Sequence, residues 1–154
     1  MSGPAYPPEV VARMIHHLEA AWPQEGCGVI LQGAGGEGEE GAFRVVPLPN
    51  VAPTPRVAYA FAPDAWLQVC LEADARRETL VCVFHSHVDT AATFSAEDRR
   101  RAAPAGIPLL PCVSYEVIAV HGGRATSAAR FVWRDGDFRG VPIRLPDFRF
   151  EKPL

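Results

Sequence analysis

Two histidines and an aspartate stand at a spacing that can build a metal site. His85 and His87 directly follow an apolar run that is rich in β-branched and aromatic residues and free of Gly and Pro, as buried strands are. Because strand side chains alternate, both imidazoles point to one face and Ser86 points to the other. Further along, Ser95-x-x-Asp98 has the form of a helix cap with a carboxylate one turn in. If the loop between them folds back, two imidazoles and one carboxylate converge, which is the ligand set of a catalytic zinc site with one open position.

The same residues also have interpretations without a metal. Histidines at the end of a strand can be satisfied by backbone carbonyls, and Ser-x-x-Asp often does no more than start a helix. His-x-His occurs in several unrelated metalloenzymes, so it predicts a metal only as part of a longer motif.

Three known kinds of zinc site can be compared with this motif. An amidohydrolase barrel needs roughly 250 residues, whereas the chain has 154. A metallo-β-lactamase-like site would continue as His-x-His-x-Asp-His, but Thr90 follows Asp89 and only His121 remains downstream. A zinc deaminase requires a paired cysteine motif, and the four cysteines are widely spaced, at Cys27, Cys70, Cys82 and Cys112. None of the three fits.

The chain around the motif alternates helices and strands. Apolar spacing and turn residues predict helices at 9–22, 63–78 and 95–103, and strands at 24–31, 42–48, 80–84, 113–120, 128–134 and 138–145. The buried stripe of the second helix is expected to include Trp66, Leu67, Cys70 and Leu71. The order α-β-β-α-β-α, followed by further strands, predicts an α/β sandwich whose later strands are mainly antiparallel.

Composition limits the class of protein. With 154 residues, 48% hydrophobic and 21% charged, the chain fits one soluble domain spanning residues 1–154. A net charge of -3 gives no electrostatic reason to expect nucleic acid or an acidic membrane as partner. No signal peptide, membrane-spanning stretch or C-x-x-C pair is evident in the sequence. A cytoplasmic protein with buried, reduced thiols is therefore expected.

A glutamate near the start of the first predicted strand completes a longer pattern. Glu25 lies in a Gln-Glu-Gly-Cys-Gly segment and precedes the Pro-Asn pair at 49–50, the His-Ser-His segment at 85–87 and Ser-x-x-Asp at 95–98. In this order, and over nearly its full length, the chain resembles the prokaryotic members of the JAMM (MPN-type) zinc metalloproteases. That family often has proline directly after His-Ser-His, where this chain has Val88.

The resemblance implies both a fold and a set of residue roles. The fold would be an α/β, cytidine-deaminase-like three-layer sandwich, with a mixed, largely antiparallel sheet between flanking helices. His85, His87 and Asp98 would bind Zn²⁺ and leave one coordination position open. Glu25 would be the general base that takes a proton from the attacking water and returns it to the leaving amine. Ser95 would donate a hydrogen bond to the developing oxyanion, worth about 3 kcal/mol.

Several assignments stay open at this level. A serine hydroxyl that caps a helix is less free to donate, so the two roles of Ser95 are only partly compatible. Glu25 taken alone could be an exposed acid before a strand. Cys27 either lines the cleft or is a small buried thiol. Asn50 is expected to form a turn, and Asp89 is expected to be a solvated loop residue.

The resemblance also suggests a substrate, namely a peptide or isopeptide bond at the C-terminal tail of a ubiquitin-like protein. This chain offers only short loops where eukaryotic relatives have long insertions that hold ubiquitin, which favours a small prokaryotic substrate. The leading hypothesis is removal of a residue from the C-terminus of a sulfur-carrier protein, as in carrier-dependent cysteine synthesis. The alternatives are a non-catalytic MPN scaffold that binds other proteins and a peptidase of cell-wall-type peptides. A homodimer is left open.

Overall fold

Residues 6–146 are described by a computed structural model, and they form three α-helices and six β-strands. The helices are α1 (Pro8–Ala21), α2 (Pro63–Arg76) and α3 (Ala96–Ala102), and the strands are β1 (Cys27–Gly33), β2 (Phe43–Leu48), β3 (Glu78–Val88), β4 (Ser114–His121), β5 (Arg124–Arg134) and β6 (Asp137–Ile143). The predicted order of elements is confirmed. Within residues 6–146, no helix combines the length and the apolar character needed to cross a membrane.

The strands form one sheet in the order β2-β1-β3-β4-β5-β6. β3 and β4 are parallel, and every other neighbouring pair is antiparallel. A parallel pair needs a crossover connection, and here that connection contains α3. The chain therefore returns over one face of the sheet directly after β3, which brings the start of α3 back to the end of that strand.

One face of the sheet is covered by α1. The buried residues Met14 and Leu18 of this helix pack in a cluster with Phe84 of β3 and Ile118 of β4. Burial of such side chains stabilises the fold by roughly 1.5–3 kcal/mol each. This core contains none of the candidate site residues. It packs on the face of the sheet opposite to that of His85 and His87.

The other face is covered by α2 and α3. Val69 of α2 and Ala102 of α3 belong to a second cluster with Val83 of β3 and Val117 of β4. Helices thus lie on both sides of a mixed, mostly antiparallel sheet. The three-layer α/β fold class expected from the sequence is confirmed.

The predicted buried stripe of α2 is wrong for three of its four residues. Leu67 and Leu71 are each 57% exposed, and Cys70 is exposed as well. The buried side of the helix passes instead through Val69, with Trp66 half-buried. Apolar residues lie on more than one side of this helix, so their spacing alone did not decide which side meets the sheet.

Candidate metal centre

β3 carries both histidines of the motif on the face that α2 and α3 cover. In the register of the sheet, His85 lies opposite Cys27 of β1. Both imidazoles are buried, with exposed fractions of 0% and 8%. Ser86 points to the opposite face, where its Oγ accepts a hydrogen bond of 2.8 Å from the backbone N–H of Gly26.

The first turn of α3 supplies a carboxylate. Ser95 is the N-cap residue, and its Oγ accepts a hydrogen bond of 3.0 Å from the backbone N–H of Asp98. In return, Oδ2 of Asp98 accepts one of 3.0 Å from the backbone N–H of Ser95. This capping box confirms the predicted helix start. It also orients the carboxylate of Asp98 before any ion is present.

Three side-chain atoms converge between β3 and α3. The Nε2 atoms of His85 and His87 are 3.3 Å apart, and Oδ2 of Asp98 lies 3.3 Å from the first and 3.1 Å from the second. Tetrahedral zinc ligands with bond lengths of about 2.0–2.1 Å are about 3.3–3.4 Å from one another. The three atoms therefore fit three corners of a zinc site, and their chemistry is that of catalytic zinc ligands.

Neighbouring groups orient the two imidazole rings. Nδ1 of His87 donates a hydrogen bond of 2.9 Å to the carbonyl oxygen of Ala91. In the neutral ring the lone pair is then on Nε2, which faces the cluster. The ring of Tyr59 stacks on His85, with centroids 4.3 Å apart and planes inclined by 24°. A backbone carbonyl thus fixes one ring, and an aromatic ring fixes the other.

Glu25 lies beside the cluster although it is remote in sequence. The backbone N–H of Ser86 donates to the carbonyl oxygen of Gly26 at 3.0 Å, and these two residues are 60 positions apart. Extending this antiparallel register by one residue places Glu25 opposite His87, on the same face. Glu25 is 5% exposed, and its Oε1 has no hydrogen-bond partner among residues 6–146. It is therefore a buried carboxyl group and not an exposed acid before a strand.

Burial and nearby charges give the site residues different pKa values. Burial raises the pKa of Glu25 to about 8, with Asp98 adding to the rise and His87 and Arg101 opposing it. Burial also disfavours ionisation of Asp98, but hydrogen bonds from His85 and from the protonated ring of His87, whose Nε2 then carries a hydrogen, outweigh it and lower the pKa of this carboxyl. Burial lowers the pKa of His85. The site thus combines one stable carboxylate, Asp98, with a carboxyl group that titrates near neutral pH, Glu25.

Cys27 is a buried thiol. It is fully inaccessible, and its Sγ donates a hydrogen bond of 3.5 Å to the carbonyl oxygen of Leu48. Burial raises the pKa of the thiol to about 12, which disfavours the reactive thiolate. Of the two interpretations of Cys27, the structure supports the structural one.

Asn50 forms the expected turn and Asp89 is the expected exposed loop residue, but both also make long-range hydrogen bonds that the sequence did not predict. The side chain of Asn50 binds the backbone of Glu25 as well as its own loop. Oδ1 of Asp89 accepts hydrogen bonds from Nε1 of Trp22 at 3.2 Å and from the N–H of Gly122 at 2.9 Å. Asp89 thus anchors the chain just after His-Ser-His. Asn and Asp are typical of ordinary turns, so their identity alone did not predict hydrogen bonds to residues distant in sequence.

A cavity of 210 Å³ is separated from His85 by the ring of Tyr59. Tyr59 forms part of its wall, and the same ring stacks on His85. Trp66 and Tyr115 add further aromatic surface, and Arg101 supplies a guanidinium group. The cavity therefore offers mainly apolar surface one ring away from the candidate metal ligand His85, which suits an apolar side chain of a bound chain.

Comparisons with known proteins find relatives along most of the sequence. The model of a family described as prokaryotic homologs of the JAB domain matches residues 7–135. A desampylase of Haloferax volcanii is 33% identical over 123 residues, which cover 80% of this chain and 79% of that protein. A Thermus thermophilus protein described as a probable TtuB-protein conjugate cleaving protease is 34% identical over 86 residues, covering 56% of this chain and 54% of that protein.

Solved structures of other proteins share the fold. The solution structure of a Desulfitobacterium hafniense protein has a TM-score of 0.68 and 25% sequence identity, and the match covers 90% of both chains. The solution structure of a Salinibacter ruber protein has a TM-score of 0.65 and 24% identity, covering 98% of this chain and 95% of the other. The arrangement of helices and sheet that positions the cluster is thus one that other proteins adopt.

Proposed function

Because the chain belongs to the family of prokaryotic homologs of the JAB domain, we propose that it is a zinc-dependent peptidase or isopeptidase. This membership confirms the JAMM/MPN-type resemblance of the sequence motifs. The proposed substrate is the bond at the C-terminal tail of a ubiquitin-like or sulfur-carrier protein. The observation that carries the proposal is the convergence of Nε2 of His85, Nε2 of His87 and Oδ2 of Asp98 within 3.3 Å of one another.

The proposed mechanism assigns separate tasks to the metal ligands and to Glu25. Zinc held by His85, His87 and Asp98 would polarise the scissile carbonyl and activate a water molecule. Oε1 of Glu25 has no hydrogen-bond partner among the described residues, and Glu25 is close enough to His87 and Asp98 for both to affect its pKa. It would accept a proton from the attacking water and pass it to the leaving amine. A carboxyl group buried beside the cluster can take up and release a proton in this way.

Ser95 can cap α3 and still donate a hydrogen bond. Its Oγ is the acceptor in the bond with the backbone N–H of Asp98, so the hydroxyl hydrogen is not used by the cap. The conflict expected from the sequence between the two roles therefore does not arise from this geometry. We assign to this hydrogen the contact with the carbonyl oxygen as negative charge develops on it.

The relatives support a protein tail as the substrate. One is a desampylase, and the other is described as cleaving conjugates of a protein. The cavity beside Tyr59 would receive an apolar side chain of the extended tail. Two bonds are therefore to be tested: an isopeptide bond that joins the tail to a lysine, and a peptide bond to one extra C-terminal residue.

Zinc content tests the proposal most directly. The protein purified without chelators is expected to bind one zinc ion, and His87→Ala is expected to lose it. His16→Ala is a matched control, because His16 is exposed on α1. The zinc-loaded protein is then given a ubiquitin-like carrier joined to a lysine peptide, or the same carrier with one extra residue. Absence of zinc from the unmutated protein, or zinc binding without cleavage of either bond, would overturn the proposal.

A further inference from the structure

The side chain of Asn50 uses its full hydrogen-bonding capacity on backbone groups. Its Nδ2 donates to the carbonyl oxygens of Glu25 at 2.9 Å and Ala58 at 2.9 Å, with that of Pro55 at 3.4 Å. Its Oδ1 accepts from the N–H of Ala52 at 3.0 Å and the N–H of Ala60 at 3.1 Å. A primary amide has two N–H bonds and two lone pairs. All hydrogen-bonding positions of the Asn50 amide are therefore occupied, whereas a residue that only forms a turn makes one local hydrogen bond.

The groups that Asn50 binds belong to two parts of the candidate site. Glu25 carries the proposed base, and it precedes β1, so no strand ladder holds it. Its N–H donates to the carbonyl oxygen of Pro55 at 2.7 Å, and its own carbonyl oxygen accepts from Asn50. The loop after Asn50 thus holds both polar groups of the Glu25 backbone. The position of the carboxyl group depends on that loop.

The same amide also holds the ring that contacts a candidate metal ligand. Ala58 and Ala60 flank Tyr59, and Asn50 binds the carbonyl of the first and the N–H of the second. The ring of Tyr59 stacks on His85. One side chain therefore connects the backbone of Glu25 with the backbone on both sides of Tyr59.

We propose that Asn50 is a positioning residue that sets where the carboxyl group of Glu25 lies relative to His85. It acts through the backbone of Glu25 on one side and through Tyr59 on the other. The inference rests on the proposed function, since its kinetic consequence requires Glu25 to act as the base. It also has a purely structural consequence, which is the stacking of Tyr59 on His85.

Asn50→Ala and Asn50→Asp test the inference in different ways. The first removes all of the bonds, and the second keeps the acceptor and loses the donors to Glu25 and Ala58. Both variants are expected to lose about 100-fold in kcat, since a misplacement of about 1 Å at an active site can cost that much. Neither variant removes a zinc ligand, so both should still bind one zinc ion when zinc is in excess. Ile15→Ala is the control, since it weakens the core on the opposite face of the sheet.

A second measurement does not depend on activity. NMR of the metal-free protein reports the ring-current shift that Tyr59 exerts on the side chain of His85. This shift should be lost in Asn50→Ala and kept in Ile15→Ala. If the unmutated zinc protein cleaves nothing, the proposed function fails, and the NMR result alone decides the role of Asn50. An unchanged His85 signal in Asn50→Ala, or a kcat loss no larger than that of Ile15→Ala, would overturn the inference.

Discussion

Glu25 and Glu116 are both buried, but they lie on opposite faces of the sheet and have different surroundings. Glu116 of β4 is directly opposite Arg130 of β5, with 3.7 Å between its Oε1 and a guanidinium nitrogen, and Sγ of Cys82 lies 3.6 Å from Oε2. Glu25 lies beside the metal cluster, and its Oε1 has no partner in the described chain. Burial raises the pKa of both carboxyl groups.

The difference separates a structural carboxyl group from a catalytic one. The guanidinium group of Arg130 opposes the rise in the pKa of Glu116 and gives this carboxyl group a partner in a fixed place. A buried carboxyl group without a partner costs stability, since its desolvation is not offset, but it stays free to accept a proton. The α1 face therefore uses its glutamate to hold the fold together. The α2 and α3 face keeps its glutamate available for chemistry.

The largest expected effect comes from the same substitution made at both glutamates. Glu25→Gln should lower kcat by about 1,000-fold, because it removes the proton acceptor. Zinc content should be unchanged, since no metal ligand is lost. Glu116→Gln should leave kcat close to that of the unmutated enzyme. Steady-state kinetics with metal analysis would measure both, and equal activity losses in the two variants would break the distinction.

Loss of the Glu116 side chain should produce the next largest effect, on stability. Glu116→Ala removes the carboxylate that faces Arg130 in the interior, where both side chains are less than 8% exposed. The free energy of unfolding should fall by about 3 kcal/mol, as when one partner of a buried ion pair is removed. Urea unfolding would measure this. A stability equal to that of the unmutated protein would mean that this pair does not hold the face together.

The stability of the metal-free protein should depend on pH through Glu25. The pKa of Glu25 rises from 4.5 to about 8 on folding, so between these values the folded state binds more protons than the unfolded state. Stability therefore falls as pH increases through this window. Glu25→Gln should remove this dependence and be more stable than the unmutated protein above pH 8.

The pH experiment contains its own control. Near pH 5 the folded protein has a neutral Glu25, so the variant and the unmutated protein should be almost equally stable. Thermal unfolding in the presence of a chelator, at a series of pH values, would give both curves. Parallel curves would show that Glu25 is not a desolvated acid.

The smallest expected effect concerns Ser86, which links the two faces. Its side chain lies on the α1 face, yet its Oγ accepts the N–H of Gly26, next to Glu25. Ser86→Ala should lower the free energy of unfolding by about 1 kcal/mol, because a buried N–H loses its partner. A small loss of kcat should accompany it, since Gly26 helps to place Glu25. A change in stability with no change at all in kcat would limit Ser86 to the fold.

Features that depend on a few neighbouring residues followed from the sequence. Strand alternation put His85 and His87 on one face, and the spacing of Ser95 and Asp98 predicted a capping box. The order of helices and strands followed from short apolar periods and from turn residues. The buried side of α2 did not follow, because Leu67 and Leu71 satisfy the same helical spacing as the residues that are buried.

The sequence by itself thus determined the helices and strands and which of their residues could bind a metal. These properties depend on the backbone conformation of residues that are close together in the chain. Only the tertiary structure decided that Glu25 lies near His87, that Asn50 binds Glu25 and the neighbours of Tyr59, and that Glu116 meets Arg130. These relations depend on strand register and loop closure between distant segments. Many registers are compatible with the same local pattern, and the packing of the whole sheet selects one of them.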